Sequence, residues 1–201
     1  MALQNRVDPF GDICAHPARG SFMGNRGGRI HRDDRTLGAR RWASRQWICC
    51  RLDFKGRQRR VFGAGYTELF FLDEVTALAA GHRPCFECRR EEALAFSRNF
   101  GGSGRSPRAP QMDAVLHAER LDGRGKRTFR SRLDVLPDGV IIARDGQAFA
   151  LRGDALLPWT PFGYAAALPR ATEMVVDVLT PSSIVSVLRA GYRPHWHESA
   201  A

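Results

Sequence analysis

Residues 69–90 read LFFLDEVTALAAGHRPCFECRR. Leu69, Phe70 and Phe71 make a short apolar run that suits a strand. The Asp73 carboxylate is placed to accept from the first free amides of a helix over residues 74–80. Gly81 offers the left-handed residue that ends such a helix, and Pro84 makes the stop firm. Cys85 to Phe100 then reads as a second helix, with Glu91 and Glu92 early and Leu94 and Phe96 turned towards a core.

Two thiolates three residues apart at a helix start can hold one ion at tetrahedral angles, and nearby Arg83, Arg89 and Arg90 favour the deprotonated form. Cys85 and Cys88 therefore admit three readings: half of a site for zinc or another thiophilic metal, a redox pair, or reduced cysteines that pack. A redox pair needs a buried strand just before it in a βαβ unit. Here a helix and Pro84 precede it, so the metal leads. The other ligands must come from elsewhere. Trp47 to Phe54 alternates as a half-buried strand, with Ile48, Cys50, Leu52 and Phe54 on the apolar face and Cys49 on the wetter one. Cys50 is the first choice of ligand and Cys49 the second, with a histidine to complete the set. Lys55, Gly56 and Arg57 suit a hairpin turn into a further strand over residues 59–62.

The run from Phe70 to Arg90 resembles the second half of the Ada-type metal-binding domain of bacterial methylphosphotriester DNA repair proteins. That family shows a short apolar strand, a helix ending in Ala-Gly-aromatic-Arg-Pro, then C-x-x-C and basic residues. The strand from Trp47 to Cys50 resembles the family's cysteine-ending strand. The likeness covers residues 45–95 and is closest over 70–90. It implies a four-cysteine zinc site against DNA, with Cys49, Cys50, Cys85 and Cys88 as candidates, in which a strand cysteine accepts a methyl group. The family's first pair is spaced C-x-x-x-C, whereas Asp53 and Phe54 stand four residues after Cys49 and Cys50. Use of both adjacent cysteines would need a bulge, because neighbouring strand residues face opposite sides.

The chain has 201 residues with 31 Lys+Arg against 21 Asp+Glu, and the excess is not evenly spread. Residues 1–67 hold 14 basic and 5 acidic side chains, while residues 141–201 hold 5 of each. Clustered positive charge attracts polyanions, so nucleic acid is the expected partner, DNA ahead of RNA. Arg26, Arg29, Arg40, Arg41 and Arg45, interleaved with Phe22, Trp42 and Trp47, are the expected phosphate contacts, with Arg83 and Arg89 beside the C-x-x-C. The Gly24–Arg29 loop lacks the Lys-Ser/Thr end of a P-loop. No apolar run approaches the roughly 18 residues of a membrane helix, and the five cysteines do not form a secreted framework. A cytoplasmic protein is expected.

The expected fold class is α+β: a small zinc-stabilised strand and helix unit with antiparallel hairpins, joined to a C-terminal α+β portion. Residues 1–46 form a basic Gly/Arg-rich segment with little periodicity, 47–100 the metal-binding unit, 101–111 a linker or mobile loop, and 112–201 the C-terminal portion. Within the last, a helix over 113–121, a hairpin of 135–142 with 148–151, a strand over 175–179 and a helix from Pro181 to Ala190 are expected. An enzyme is the alternative, a nuclease or other nucleic-acid-modifying protein with structural zinc and His31, Asp33 and Asp34 as catalytic candidates. A protein-interaction module is the third reading. His82 reads as a packing residue, Cys14 and His16 as a weak ligand pair, and His195 and His197 as part of a frayed tail.

Overall fold

The computed structural model describes residues 2–57, 60–102, 104–171 and 173–201. Strands β1 (Gln4–Val7), β2 (Ile13–Ala15), β3 (Phe22–Arg26), β4 (Trp47–Cys50), β5 (Leu69–Phe71) and β6 (Arg83–Pro84) pair in the order β2-β1-β5-β3-β4-β6. β3 is antiparallel to both neighbours, so Met23 faces Phe70 on one side and Cys50 on the other. Gly24 is required there. A Cβ at that position would come within 2.0 Å of the Ile48 carbonyl oxygen. β6 runs parallel to β4, pairing Ile48 with Arg83 and Cys49 with Pro84.

Helix α1 (Glu74–Ala79) is buried at every residue. Asp73 caps it by accepting from the Thr76 amide, as expected from the sequence. Ala77 and Ala80 join the core of the first sheet with Val7, Ile13 and Phe71. Leu72, Val75 and Ala79 pack instead on Ile141, Ala150 and Leu157 of the second sheet. A helix covered on all sides is best built from small or apolar residues, and this one is apart from Glu74, whose buried carboxylate is paired with Arg89.

Next come α2 (Arg90–Phe100), α3 (Ala109–Arg120) and a two-stranded ribbon of β7 (Leu121–Asp122) and β8 (Gly125–Lys126). The second sheet comprises β9 (Phe129–Arg132), β10 (Ile141–Arg144), β11 (Gln147–Arg152), β12 (Ala155–Thr160), β13 (Gly163–Tyr164), β14 (Leu168–Pro169) and β15 (Val175–Val178). Its order is β13-β12-β11-β10-β15-β9, with β14 also on β12, and its pairings are antiparallel. Helix α4 (Ser182–Arg189) closes the layer, and Phe96, Met112, Leu116, Ile184 and Leu188 meet Ile142, Leu151 and Val178 in the principal core. The fold is α+β with antiparallel hairpins, as expected.

Several local expectations are corrected. The first 46 residues hold three strands rather than an unpatterned segment. Their pattern is hidden because β3 buries Gly24, Asn25 and Arg26 along with Met23. The strand from Trp47 stops at Cys50, and residues 60–62 form no strand; Arg59 of that expected strand lies outside the described residues. The second helix begins at Arg90, not Cys85, since residues 86–88 form a turn. α3 starts at Ala109, taking in Pro110 from the expected linker, because proline is tolerated in a helix's first turn. Val135 ends a 3-10 turn, and the strand after it begins only at Ile141.

Candidate functional site

The parallel pairing of β4 with β6 delivers the C-x-x-C turn to the end of β4. The Cys85 amide donates to the Cys49 carbonyl at 3.0 Å, and the Arg89 amide returns to the Cys85 carbonyl at 3.0 Å. Cys50 projects from β4 into this turn, and the sulfurs of Cys50, Cys85 and Cys88 all lie within 4.8 Å of one another. All three residues are buried, and Met23, Ile48, Phe54, Tyr66 and Phe70 pack around them.

The cluster is electrostatically prepared for a cation. The thiols of Cys50 and Cys88 and the amides of Glu87 and Cys88 hydrogen-bond to the Cys85 sulfur, which lowers its pKa and makes it the thiolate of the three. Cys50 is held protonated by its hydrogen bonds to Cys85 and Cys88 and by burial. Thiolates at about 2.3 Å from a tetrahedral ion lie about 3.8 Å apart, so the sulfurs need close by only about 1 Å. A bound soft cation would remove the remaining thiol protons. Three cysteines that can hold a metal ion are thus what the structure provides among the described residues.

Cys49 is not one of them. Alternation turns it to the opposite face of β4, where it is fully buried beside Arg89, whose Nη1 lies 3.5 Å from its sulfur. The expectation that this face is the wetter one is corrected, because α1 covers it. Burial raises the Cys49 thiol against the opposing pull of Arg89. None of the histidines joins the cysteines in the group either.

The expected phosphate contacts divide into two sets. Arg40, Arg41 and Arg45 are exposed in the segment between β3 and β4, and Arg29 is exposed in an ion pair with Asp33. Arg26, Arg83 and Arg89 are interior, which corrects their reading as surface contacts. Arg83 forms a two-pronged ion pair with Asp113, both bonds 2.8 Å, and Arg89 pairs with Glu74 at 2.8 Å. Tertiary burial takes these side chains inward, and their place in the sequence gives no sign of it.

His31, Asp33 and Asp34 do not converge on a reacting centre. His31 is buried, its ring nitrogens 2.7 Å from Thr67 Oγ1 and 2.9 Å from the Gly63 carbonyl, and it stacks on Phe62. Asp34 accepts from the Thr36 amide and hydroxyl in a local turn, and both bonds lower its pKa. His82 is buried against Trp47 and Phe71, as a packing residue should be. The tail is docked rather than frayed: the His195 amide donates to Glu74 at 2.9 Å and the His197 amide to Asp73 at 3.1 Å.

One basic cavity borders the cysteines. It measures about 640 Å³, and its walls include Arg6, Arg19, Arg35, Leu52 and Phe70, the last also packing on the cysteine cluster. A second feature escapes a reading of the sequence, a group of cations at buried Arg26 and Arg120 and half-buried Lys126. Its one sequence signal is Lys126, one of only two lysines among 31 basic residues. Comparison with family models, with curated proteins and with solved structures finds no match to this chain.

Proposed function

We propose that this chain is a zinc protein that binds nucleic acid, DNA in preference to RNA. One observation carries the reading: Cys50, Cys85 and Cys88 bring their sulfurs within 4.8 Å of one another at the point where β4, β6 and α2 meet. Thiolate donors and a buried, largely apolar surround suit zinc ahead of harder ions. Zinc there would cross-link the end of β4 to the turn before α2. The Ada-type likeness of residues 70–90 supports DNA, but the donor set has three cysteines rather than four. The proposal is therefore one of binding, with the metal as a structural brace.

The nucleic-acid half rests on charge. Arg40, Arg41 and Arg45 are exposed on the segment that runs into β4, and Arg6, Arg19 and Arg35 line the cavity beside the cysteines. Phosphate binding of this kind releases counterions, so affinity must fall steeply with salt.

Two measurements on the purified full chain test the reading. Metal analysis should find about one zinc per chain, absent from Cys85→Ser. Fluorescence anisotropy with duplex and single-stranded DNA and RNA should show binding that weakens linearly in log salt. Charge removal at Arg40, Arg41 and Arg45 should cut the slope by about 1 for each phosphate no longer neutralised. A metal-free protein sinks the zinc half, and salt-insensitive failure to bind any of the four probes sinks the other.

A further inference from the structure

Arg26, Arg120 and Lys126 are brought together from β3, the end of α3 and β8. Arg26 is 2% and Arg120 1% exposed. Both guanidinium carbons lie over the Trp47 ring, each 3.9 Å from its centroid. What these cations lack is acid. Arg26 donates to the Gly11 carbonyl at 2.8 Å and the Arg41 carbonyl at 3.5 Å, with His82 Nε2 at 3.4 Å. Arg120 donates to the carbonyls of Gly81 at 2.9 Å and Arg45 at 2.7 Å, and Lys126 to that of Ala79. Among the described residues no carboxylate comes within ion-pair distance of any of the three.

Buried charge without a counter-charge is expensive, and such clusters need a reason to persist. Desolvation lowers Arg26 and Arg120 to about 9 and Lys126 to about 7. Arg120 Nε has no hydrogen-bond partner at all. A cavity of about 40 Å³ opens between these groups, walled by Arg26, Arg120 and Lys126 together with Arg41, Arg124 and Trp47. Asp12 is the one acid on its wall. Asp8 lies near, and burial raises it to about 6. Arg41, Trp42 and Arg124 are shared with an adjoining open groove of about 440 Å³ that also includes Arg40.

We propose that this pocket is a phosphate site, which receives the terminal phosphate of a nucleotide or of a nucleic-acid strand on Arg26, Arg120 and Lys126. The cavity has room for one small anion, and guanidinium groups match its oxygens in pairs. The open groove takes the remainder of the ligand, with half-buried Trp42 at the mouth for an attached base to stack on. The site is separate from the cysteines. Its strand-end form rests on the nucleic-acid reading above, while the phosphate site itself does not.

The test is calorimetric titration of the full chain in phosphate-free buffer with inorganic phosphate, a 5′-mononucleotide, and matched oligonucleotides bearing a 5′-phosphate or a 5′-hydroxyl. Phosphate and the mononucleotide should bind to wild type and raise its melting temperature. Lys126→Met and Arg124→Ala should each weaken that binding at least tenfold. Arg124 is exposed, so its variant keeps the fold even if a buried substitution does not. A tenfold preference for the phosphorylated oligonucleotide assigns the source as a strand end, and equal binding of mononucleotide alone assigns it as a free nucleotide. If phosphate and mononucleotide fail to bind and both oligonucleotides bind alike, the pocket proposal is overturned while nucleic-acid binding stands. If phosphate binds and no oligonucleotide does, the pocket stands and nucleic-acid binding falls.

Discussion

Arg89 and Glu74 meet inside the protein, Nη2 to Oε2 at 2.8 Å, with neither side chain exposed. The Tyr192 hydroxyl donates to the other Glu74 oxygen at 2.6 Å, and Arg89 follows directly on the C-x-x-C turn. One pair therefore ties the candidate metal centre to α1 and to the chain's end. Arg89 Nε also lies 3.5 Å from Glu92, so removal of Glu74 leaves the buried guanidinium only partly compensated, at a cost towards the lower end of about 3–5 kcal/mol. Glu74→Gln should lower stability by that order in urea unfolding. The double variant Glu74→Gln/Arg89→Met should recover much of the loss, because it removes both charges together. A double variant as unstable as the single would show that the pair matters for its shape rather than for its charge.

The two adjacent strand cysteines should behave oppositely. Cys50 shares the metal-binding group with Cys85 and Cys88, while Cys49 faces the other side of β4 against Arg89. Cys50→Ala should abolish zinc retention as fully as Cys85→Ala or Cys88→Ala. Cys49→Ala should retain the metal and lose only about 1 kcal/mol of stability, the ordinary cost of a small core truncation. Metal analysis and cobalt substitution spectra check this directly. Thiolate-to-cobalt bands that survive in Cys50→Ala would exclude this ligand set.

The site is legible in the sequence where its chemistry is local. The C-x-x-C spacing, the Asp73 cap and the alternation that separates Cys49 from Cys50 each rest on residues only a few positions apart, and the cap and the separation of the two strand cysteines are found as expected. Long-range burial is not legible. Nothing near Arg26 in sequence says that its guanidinium will lie over the Trp47 ring together with that of Arg120. Alternation likewise shows that Cys49 and Cys50 differ in side, but not that α1 covers one side and the aromatic cluster the other. The order of the tail is hidden for the same reason. His195 and His197 stand near the end of the sequence with no periodic pattern around them, and their order comes from Asp73 and Glu74 more than 120 residues away.

Asp73 does two things at once. Its Oδ1 caps α1 through the Thr76 amide and hydroxyl, both at 2.8 Å, while Oδ2 accepts from the Tyr164 hydroxyl at 2.8 Å and the His197 amide. Asp73→Ala should lose about 1 kcal/mol for the cap. The stranded Tyr164 hydroxyl should add about 1–3 kcal/mol. Tyr164→Phe keeps the cap and should cost only about 1 kcal/mol. Hydrogen exchange separates the two roles: amides of residues 195–200 should lose protection in Asp73→Ala and keep most of it in Tyr164→Phe. Unchanged tail protection in Asp73→Ala would mean that the other contacts, Glu74 with the His195 amide, the Tyr164 amide with Ser199 and Arg152 with the Ala200 carbonyl, hold the tail without Asp73.

Lys126 gives stability a pH dependence of known sign. Its ammonium is lowered to about 7 by desolvation first and then by Arg26 and Arg120, with Asp8 opposing. In the unfolded chain lysine titrates near its ordinary value of about 10.4. Between those two values the unfolded chain holds a proton at this site that the folded chain has released, so stability rises with pH across that window. Below pH 7 both forms are protonated, and the folded state carries the full cost of the buried charge. Lys126→Met should therefore be more stable than wild type at pH 6, with the gap closing as pH approaches 10. Urea midpoints of both proteins, taken from pH 6 to 9.5 in phosphate-free buffer, measure that gap. Asp8, raised to about 6, is largely ionised from pH 7 upward, and Arg26 and Arg120 are common to both chains, so above pH 7 the difference reports on Lys126. Added phosphate at pH 6.5 should narrow the gap from the wild-type side, because an anion in the pocket supplies the missing counter-charge. A gap that stays constant with pH would mean that the ammonium keeps its ordinary pKa and already has a partner.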